Sequence, residues 1–495
     1  MLIMMLIISS ISEVIRTFQF VVVCYYGTWA TYRSGDGKFD VSNIDTSLCT
    51  HLVYTFVGIQ RDGTVISLDP YLDLPDNYGK DNFNKFNALK KQNAKLKTIL
   101  AVGGWNEGSA KYSTMVASAS LRKNFITSAR DMILKYGFDG LDVDWEYPNQ
   151  RDSTQGAADI NNFSLLLKEL RAEFDKYDLL VTVAVAAVKK SASLSYDIPT
   201  LSKYVDLVSI MTYDMYGSWD SVTGHNSPLH KGLGDENVSK DSVFSVDVAL
   251  DYWLSQGCPP NKLVMGLPLY GRTFTLTNAN SNGVRAPASG AGLAGQYTAT
   301  NGLIGYNEFC NKLQSEAWTV KYDALAEVPY AYQNRNWVSY DDPNSLARKV
   351  NYAMKLGIAG AMVWSIETDD FLGKCGEDFG LLKSINRALG ASSSTESPVT
   401  SSTTSSATTS TTKAPSSSTT TKKTTTTTES FQSSTPSSVV CKKEGPIANP
   451  NDCSTFFVCA VGVGGYLEPK LFYCPSNLVW DDTYKFCNYK YMVQC

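Results

Sequence analysis

The chain has 495 residues, a formal net charge of −4 and a pI of about 5.6. This balance argues against the basic surfaces that bind nucleic acid or anionic membranes, and we expect neither partner. Length alone suggests two or three domains, and an aromatic content of 12%, with 28 Tyr and 9 Trp, suits stacking on neutral, flat ligands.

The N-terminal residues have the composition of a secretory signal. Residues 1–8 form a short apolar run and residues 9–12 are mostly small, although no basic residue precedes the run. We therefore predict a signal peptide region over residues 1–17 and a secreted, extracellular protein. No later stretch reaches the roughly 18 apolar residues of a membrane span. Secretion would make the sequons at Asn162 and Asn237 candidates for glycosylation.

Apolar runs of strand length alternate with helical patterns from residue 18 to residue 390. The predicted strands are 18–26, 51–58, 97–103, 138–148, 180–187, 205–213, 263–271 and 360–364. The clearest predicted helices are 115–136, 159–177, 242–256 and 344–356. Such alternation implies right-handed crossovers and a parallel sheet. Eight repeats predict a closed (β/α)8 TIM barrel over residues 18–390.

One long segment interrupts this alternation. Residues from about 270 to 340 separate the seventh strand from the next clear helix, which is too long for a simple connection. We predict a small α+β insertion between strand 7 and helix 7, placed to wall one side of a cleft.

The last hundred residues differ in composition from the barrel. Residues 391–440 are mostly Ser and Thr, which is typical of an O-glycosylated linker. Residues 441–495 are too few for a self-sufficient core and predict a small disulfide-rich β module in an oxidising compartment. Its cysteines, with fifteen possible pairings, are Cys441, Cys453, Cys459, Cys474, Cys487 and Cys495. Candidates for an exposed sugar-stacking strip are Trp480, Tyr466 and Tyr484. For any single aromatic residue of this module, a place in the core is the favoured alternative.

The stretch Phe-Asp-Gly-Leu-Asp-Val-Asp-Trp-Glu-Tyr-Pro, residues 138–148, alternates acidic and apolar residues. In a strand, Asp142, Asp144 and Glu146 share one face. Because such crowded carboxylates cannot all ionise, at least one holds a proton at neutral pH, as general acid catalysis requires. The acids lie at the C-terminal end of strand four, where TIM barrels carry their chemistry. A solvated acidic face and a hard-cation site remain alternatives; we expect no metal.

At this stretch the sequence resembles the family 18 glycoside hydrolases, the chitinases. Further matches at strand ends extend the resemblance over residues 20–390: Ala101-Val-Gly-Gly-Trp-Asn106, Met211-Thr-Tyr-Asp214, Tyr270-Gly-Arg272 and Met362-Val-Trp364. Residues 441–495 resemble a peritrophin-type (type 2) chitin-binding domain. Two independent regions thus indicate the same polymer.

The resemblance implies a retaining mechanism in which the 2-acetamido carbonyl of the substrate is the nucleophile, without cofactor or metal. Glu146 is then the acid that protonates the glycosidic oxygen and later the base that activates water. Asp144 orients the acetamido N–H, and Asp142 shares a proton with Asp144. Tyr213 holds the acetamido carbonyl.

The resemblance also implies a sugar-binding groove. Trp364 forms its floor, and Asp214 and Arg272 hydrogen-bond the sugar. The other implied substrate-binding residues are Trp29, Gly103, Gly104, Trp105, Asn106, Tyr147, Met211, Thr212 and Trp219. For each aromatic residue, ordinary packing is the alternative. Glu308, in the insertion, matches a position on the groove wall.

By the same resemblance, Cys24 pairs with Cys49 and Cys310 with Cys375, which leaves Cys258 as a buried free thiol. The sequence departs from the family after Trp364, where Glu367 and Thr368 replace a run that more usually contains Asp. We expect this departure to affect the loop and not the chemistry.

We therefore predict a secreted endochitinase that binds chitin and chitin oligosaccharides, acts as a monomer and is anchored to the polymer by its C-terminal module. The alternatives are a catalytically inactive chitin-binding lectin and a structural protein of a chitinous lining. The presence of Glu146 favours the enzyme.

Overall fold

The computed structural model describes residues 20–239, 242–390, 441, 443, 445–461, 467–474, 478–482 and 486–489. The chain divides into two units, residues 1–399 and 400–495, and each is described by itself. The predicted signal region and Ser/Thr-rich linker lie outside the described residues, so the domain boundaries stay predictions. Within the part of the chain that is described, no helix is both long and apolar enough to cross a membrane.

The first unit alternates strands and helices. Its strands are β1 Val21–Gly27, β2 His51–Ile59, β3 Val65–Ser67, β4 Lys97–Gly103, β5 Gly140–Asp144, β6 Leu180–Ala186, β7 Leu207–Met211, β8 Leu263–Pro268, β9 Tyr270–Leu276, β10 Ala288–Ala291, β11 Leu303–Gly305, β12 Thr319–Asp323, β13 Val328–Gln333, β14 Asn336–Ser339 and β15 Gly360–Trp364. Its α-helices are α1 Pro70–Asp73, α2 Asn82–Ala88, α3 Ala110–Ala117, α4 Ala119–Tyr136, α5 Ala158–Phe174, α6 Lys189–Ser195, α7 Ile198–Tyr204, α8 Val246–Ser255, α9 Tyr306–Ser315, α10 Pro343–Leu356 and α11 Gly380–Ala388.

Eight parallel strands close into a barrel. The ring runs β1, β2, β4, β5, β6, β7, β8 and β15, and β15 pairs again with β1. Across the seam, Val21 lies opposite Gly360. β3 pairs antiparallel with β2 outside the ring. The predicted TIM barrel is confirmed.

Successive side chains of β5 point alternately to the apolar core and to the barrel interior. Leu141 and Val143 are buried in the large apolar cluster shared by the strands and the surrounding helices. Asp142 and Asp144, on the opposite face, are also buried, and Asp142 contacts Tyr25, a member of a second apolar cluster made by other strands of the ring. The acidic residues therefore face the barrel interior.

Several predicted boundaries differ from the structure by two or more residues. The helix predicted over 115–136 is two helices, because extended Ser118 ends α3 and its Oγ accepts the Leu121 N–H at 3.5 Å to begin α4. β7 ends at Met211, two residues before the predicted end. β5 ends at Asp144, so Glu146 lies on the loop that follows.

The insertion between β8 and α10 is a sheet with one α-helix. β9 to β14 form a six-stranded antiparallel sheet over Tyr270–Ser339, with α9 between β11 and β12, which agrees with the predicted α+β insertion over about 270–340. Since only Leu269 separates β8 from β9, the sheet begins at the C-terminal end of a barrel strand, beside the acids' face.

The prediction that Glu308 lies on the groove wall is wrong. Glu308 is 4% exposed. Its carboxylate accepts hydrogen bonds from the backbone N–H groups of Tyr297, Thr298 and Gly305. The side chain therefore turns inward and fixes the loop before α9.

The cysteines of the first unit follow the predicted pattern. Disulfides join Cys24 to Cys49 and Cys310 to Cys375. Cys258 is buried and free.

The second unit contains short antiparallel strands: β16 Gly445–Ala448, β17 Thr455–Val461, β18 Leu467–Tyr473, β19 Leu478–Asp481 and β20 Phe486–Tyr489. Cys441 is bonded to Cys459, and Cys453 and Cys474 are also disulfide-bonded. The participation of Cys487 and Cys495 stays a prediction, and Cys495 lies outside the described residues.

One predicted sugar-stacking residue of this unit lies in its core. Trp480 is 5% exposed and stacks on Phe456 with ring centroids 4.1 Å apart. The expectation that Trp480 stands exposed is therefore wrong, because a small module uses its largest aromatic residues as core. Tyr466 and Tyr484 lie outside the described residues.

Candidate active site

Asp142 is the innermost carboxylate of the site. Its Oδ2 accepts the Tyr25 hydroxyl at 2.8 Å and its Oδ1 accepts the Thr182 hydroxyl at 2.5 Å. Burial raises the pKa of Asp142 to about 6, against the opposing effect of these two hydrogen bonds. Near neutral pH the group is therefore protonated for an appreciable part of the time.

Asp144, the next carboxylate outward, is also buried. Burial raises its pKa well above the usual range, and the charges of Glu146 and Asp142 raise it further. Among the described residues, no group donates a hydrogen bond to Asp144 Oδ1. A buried carboxylate oxygen without a donor is costly, so this atom is a place where a ligand N–H or O–H would be stabilised.

Glu146 is the outermost of the three acids and is half-buried. Burial raises its pKa to about 7, helped by the negative charge of Asp214. A hydrogen bond with Tyr147, the charge of Arg151 and the Trp105 backbone act in the opposite direction. Glu146 is thus a carboxylic acid that holds its proton close to neutral pH, at the outer end of a row of three carboxylates. Tyr147, predicted to bind substrate, is half-buried, and its side chain is hydrogen-bonded to the side chain of Glu146.

Sequence reasoning missed Arg151, which holds two parts of the site together. Its guanidinium lies 3.8 Å from the ring centre of Trp105. It donates to the carbonyl oxygens of Trp105 and Glu146, each at 2.9 Å. The chain folds back to bring Arg151 there, with a positive φ of 59° at that residue. An arginine five residues after the acid gives no sign of this contact in the sequence.

Asp214 and Arg272 bind each other across the junction of the barrel and the insertion. Arg272 Nε lies 2.7 Å from Asp214 Oδ1 and Nη2 lies 2.6 Å from Oδ2. Tyr270 adds its hydroxyl to Oδ1 at 2.5 Å, and Asn226 accepts the Asp214 backbone N–H at 2.9 Å. Sequence reasoning gave no role to Tyr270 or Asn226 beside this pair.

The residues around Asp214 divide between the site and the framework. Tyr213 is half-buried, and its hydroxyl contacts Met362 Sδ at 3.7 Å. Met211, also half-buried, packs on the same inner cluster. Thr212 is fully buried, and its hydroxyl donates to the Gly266 carbonyl at 2.6 Å. The prediction that Thr212 binds substrate is therefore wrong.

Aromatic rings form an open apolar face beside the acids. Trp364 lies 5.8 Å from Tyr25, 6.1 Å from Trp29 and 5.8 Å from Phe56, measured between ring centres. Trp29 is 43% exposed, although it stacks on Phe56. Because Tyr25 also binds Asp142, this face adjoins the row of acids.

Two further exposed indoles stand near cationic groups. Trp105 is 57% exposed and Trp219 59% exposed, and Arg272 lies 5.0 Å from the Trp219 ring centre. Asn106 is exposed beside Trp105. Several exposed aromatic rings at the C-terminal ends of barrel strands are typical of a ligand-binding surface.

Gly103 and Gly104 allow β4 to approach the acids closely. Both have positive φ, 120° and 84°. A Cβ on Gly103 would lie 2.0 Å from the Asp144 carbonyl oxygen, and one on Gly104 2.7 Å from the Phe56 ring. Both residues are buried, so the role that the structure shows for them is packing.

Comparison with known proteins places this geometry in a family. The profile described as "Glycosyl hydrolases family 18" matches residues 21–369. The chain belongs to family 18 of the glycosyl hydrolases. A second profile, "Chitin binding Peritrophin-A domain", matches residues 441–495 of this family 18 chain.

The similar proteins of this family are chitinases and a chitinase-like protein. "Probable chitinase 2" of Drosophila melanogaster is 47% identical over 366 residues, which cover 72% of this chain and 73% of that protein. The Group IV chitinase of Ostrinia furnacalis, also solved with allosamidin, is 56% identical with a TM-score of 0.74 and covers 75% of this chain and 100% of its own. Human YKL-39, described as a pseudo-chitinase with retained chitooligosaccharide binding, is 37% identical with a TM-score of 0.69, over 75% of this chain and 100% of its own. The family 18 chain is thus a glycoside hydrolase of the chitinase type with a chitin-binding domain.

Proposed function

We propose that this enzyme hydrolyses the β-1,4 bonds between N-acetylglucosamine units of chitin with retention of anomeric configuration. The observation that carries the proposal is the row Asp142, Asp144, Glu146, in which the pKa of the outer acid is raised to about 7 and one buried oxygen of Asp144 has no donor among the described residues. An acetamido N–H is a donor of the kind that this oxygen lacks. A substrate with an N-acetyl group is therefore the natural ligand of the site.

The reaction then proceeds in two steps. Glu146 donates its proton to the glycosidic oxygen while the acetamido carbonyl of the same sugar attacks C1, giving an oxazolinium ion and a free leaving sugar. Asp144 accepts the acetamido N–H and stabilises the positive charge of the ring, and Tyr213 holds the carbonyl group. Glu146, now ionised, takes a proton from a water molecule that attacks C1 and opens the oxazolinium ring with the original configuration.

Asp142 acts through Asp144. Because their charges interact, the two carboxyl groups share protons, and the macroscopic pKa values belong to the pair. When Asp144 becomes the anion that faces the oxazolinium, the proton moves to Asp142, where Tyr25 and Thr182 hold the carboxyl group in place. Proton transfer within the barrel thus lets Asp144 ionise without a negative charge on Asp142 beside it.

The aromatic face supports the binding of a chain of sugars. Trp364 is proposed as the floor under the reacting sugar, with Trp29, Trp105 and Trp219 as platforms along the groove. Asp214 and Arg272, already paired, offer their remaining polar surface to the sugar hydroxyl and acetamido groups.

The stereochemical claim is tested by the product anomer. Chitin oligomers of defined length, quenched early and analysed by NMR or by anomer-resolving chromatography, are expected to release the β-anomer first. Initial release of the α-anomer would contradict the substrate-assisted mechanism. A binding protein without activity, as YKL-39 is described, would release no product; the intact Glu146 with its raised pKa favours the enzyme.

The pH profile reports on Glu146. Since its folded-state pKa is raised to about 7 and the acid form is the active one, kcat/KM is expected to fall as the pH rises through about 7. Arg151→Gln removes a positive charge that lowers this pKa, so the descending limb should move to higher pH. Arg130→Gln, at an ion pair with Glu173 on the outer helices, is the matched control. An unmoved limb in Arg151→Gln would show that another group controls the alkaline side.

The C-terminal module is proposed to anchor the barrel to insoluble polymer. Removal of residues 391–495 should leave the turnover of soluble oligomers unchanged and lower the rate on insoluble chitin about tenfold or more, because tethering raises the effective concentration of the barrel at the polymer surface. Turnover of both substrates by the full chain and the shortened chain is the measurement, with thermal unfolding as the folding control. Equal rates on insoluble chitin would rule out the anchoring role.

Secretion is part of the same proposal. The described disulfides, Cys24–Cys49, Cys310–Cys375 and Cys441–Cys459, support an oxidising compartment. Asn237 is exposed in a turn, whereas Asn162 is half-buried on α5, so Asn237 is the more accessible candidate for a glycan. The O-glycosylated linker over residues 391–440 and the monomeric state remain predictions.

A further inference from the structure

The departure from the family at Glu367 has a physical role in this chain. Glu367 follows Trp364 by three residues and is fully buried. Its Oε1 accepts the Ser365 hydroxyl at 2.6 Å. A buried carboxylate is stable only when an opposite charge or hydrogen bonds offset the cost of removing it from water. The other groups that bind Glu367 therefore show which part of the structure it holds in place.

Those partners lie at both ends of one short helix. The 3-10 helix Thr28–Tyr32 has Gly27 as its N-cap and Arg33 as its C-cap. Glu367 Oε2 accepts the Gly27 N–H at 3.0 Å. At the other end, Arg33 Nη2 lies 3.8 Å from Glu367 Oε1, and Nη1 donates to the Glu367 carbonyl at 3.3 Å. A single residue therefore binds both caps of this helix.

The helix carries Trp29, whose indole is exposed. The carboxylate and the indole also meet at Gly27: a Cβ there would lie 2.4 Å from Glu367 Oε1 and 2.8 Å from Trp29 Cζ2. Trp29 in turn lies 6.1 Å from Trp364 between ring centres. Glu367 thus lies close to the Trp29 ring, and it follows Trp364 by three residues in the chain.

We infer that Glu367, with Arg33, is a positioning residue that fixes the Trp29 platform relative to Trp364 and so sets the affinity for long chitin chains. The inference rests on the proposed function, in which both rings lie under the sugar chain. Glu367 is fully buried, and among the described residues its carboxylate binds Ser365, Gly27 and Arg33. Its loss should therefore weaken substrate binding and leave the chemical step unchanged.

Glu367→Gln tests this inference, because glutamine keeps the size of the side chain and removes its charge. With a chitin hexamer, we expect KM to rise about fivefold or more, in the range of couplings between contacting residues, with kcat unchanged. Trp29→Ala should raise KM as well. In the double variant the Glu367→Gln change should add little, since the platform that it positions is already gone.

Asp369→Asn is the matched control. Asp369 is a buried carboxylate two residues further along the same loop, and it accepts the Leu381 and Leu382 N–H groups at the start of α11. Asp369→Asn should lower the melting temperature without changing KM. If Asp369→Asn raised KM as much as Glu367→Gln does, both residues would act only by stabilising the loop, and the inference would be overturned. Additive effects of Glu367→Gln and Trp29→Ala on KM would overturn it as well.

The remaining outcomes separate the inference from the function on which it rests. If Trp29→Ala leaves KM unchanged, the platform role and the positioning role both fail. If Trp29→Ala raises KM and Glu367→Gln does not, only the positioning role fails. Should Glu367→Gln not fold, Arg33→Gln frees one end of the same helix: a raised KM supports the inference and an unchanged KM overturns it.

Discussion

Glu146→Gln is expected to lower kcat on chitin oligomers by about 10³-fold, within the range that general acid–base catalysis contributes. Glutamine has nearly the shape of glutamate and cannot donate a proton to the glycosidic oxygen or accept one from water. Its neutral side chain also relieves the repulsion that raises the pKa of Asp144. The variant should therefore bind chitin oligomers at least as well as the unmodified enzyme, as measured by calorimetry, while turnover is measured by product chromatography.

Glu316→Gln provides the control for this experiment. Glu316 makes an ion pair with Lys312 on the insertion, with about a third of each side chain exposed. The Glu316→Gln variant should therefore turn over chitin oligomers at the rate of the unmodified enzyme. Near-native turnover in Glu146→Gln would refute the assignment of the acid. Loss of both turnover and binding would indicate instead that the substitution disrupts the groove.

Lys349→Ala is expected to destabilise the barrel by about 3–5 kcal/mol, the cost of leaving one member of a buried ion pair without its partner. Lys349 Nζ lies 2.6 Å from Asp341 Oδ1 and donates to the Ser227 hydroxyl at 2.9 Å, and neither charged side chain is exposed. The Ser227 hydroxyl donates to the Thr212 carbonyl at 2.6 Å. The buried pair therefore supports the segment that carries Tyr213. Urea unfolding of the full chain, followed by tryptophan fluorescence, measures the loss.

Two variants show whether the loss comes from the unpaired charge. In Lys349→Met combined with Asp341→Leu, both charges are replaced by apolar groups of similar size, and most of the lost stability should return. Arg348→Ala removes a half-exposed ion pair with Glu327 on the neighbouring residue of α10 and should cost under about 1 kcal/mol. Equal losses in Lys349→Ala and the double variant would mean that packing volume, and not charge, determines the effect.

Local sequence patterns predict the barrel well because most of its strands are runs of apolar residues, although several strands are shorter than predicted. The row of acids could be predicted for the same reason, since alternation in a strand puts Asp142 and Asp144 on one face without knowledge of the rest of the chain. Prediction fails where a side chain depends on distant partners. Tyr25 and Asp142 are 117 positions apart, and no local pattern distinguishes a core tyrosine from one that binds a carboxyl group of the proposed active site.

Other errors have different physical origins. Thr212 belongs to a motif at a strand end, yet its hydroxyl is used by the Gly266 carbonyl inside the barrel wall. Glu308 matches the family by position, but three backbone N–H groups draw its carboxylate inward. Trp480 is an exposed sugar-binding candidate by composition, but a small module needs its ring for the core. The family resemblance therefore predicts where a residue lies in the chain, but its neighbours in the fold decide where its side chain points.

The two hydrogen bonds to Asp142 come from opposite parts of the ring. Tyr25 lies on β1, the strand that closes the seam with β15, and Thr182 lies on β6, next to the acidic strand. A fragment containing β4 to β7 would carry all three acids and still lack the hydroxyl from β1. Splitting or circularly permuting this enzyme would therefore preserve its proton arrangement only where the first and last strands still meet. On the proposed mechanism, catalytic competence is a property of the whole ring, although the three acids fit within five consecutive residues.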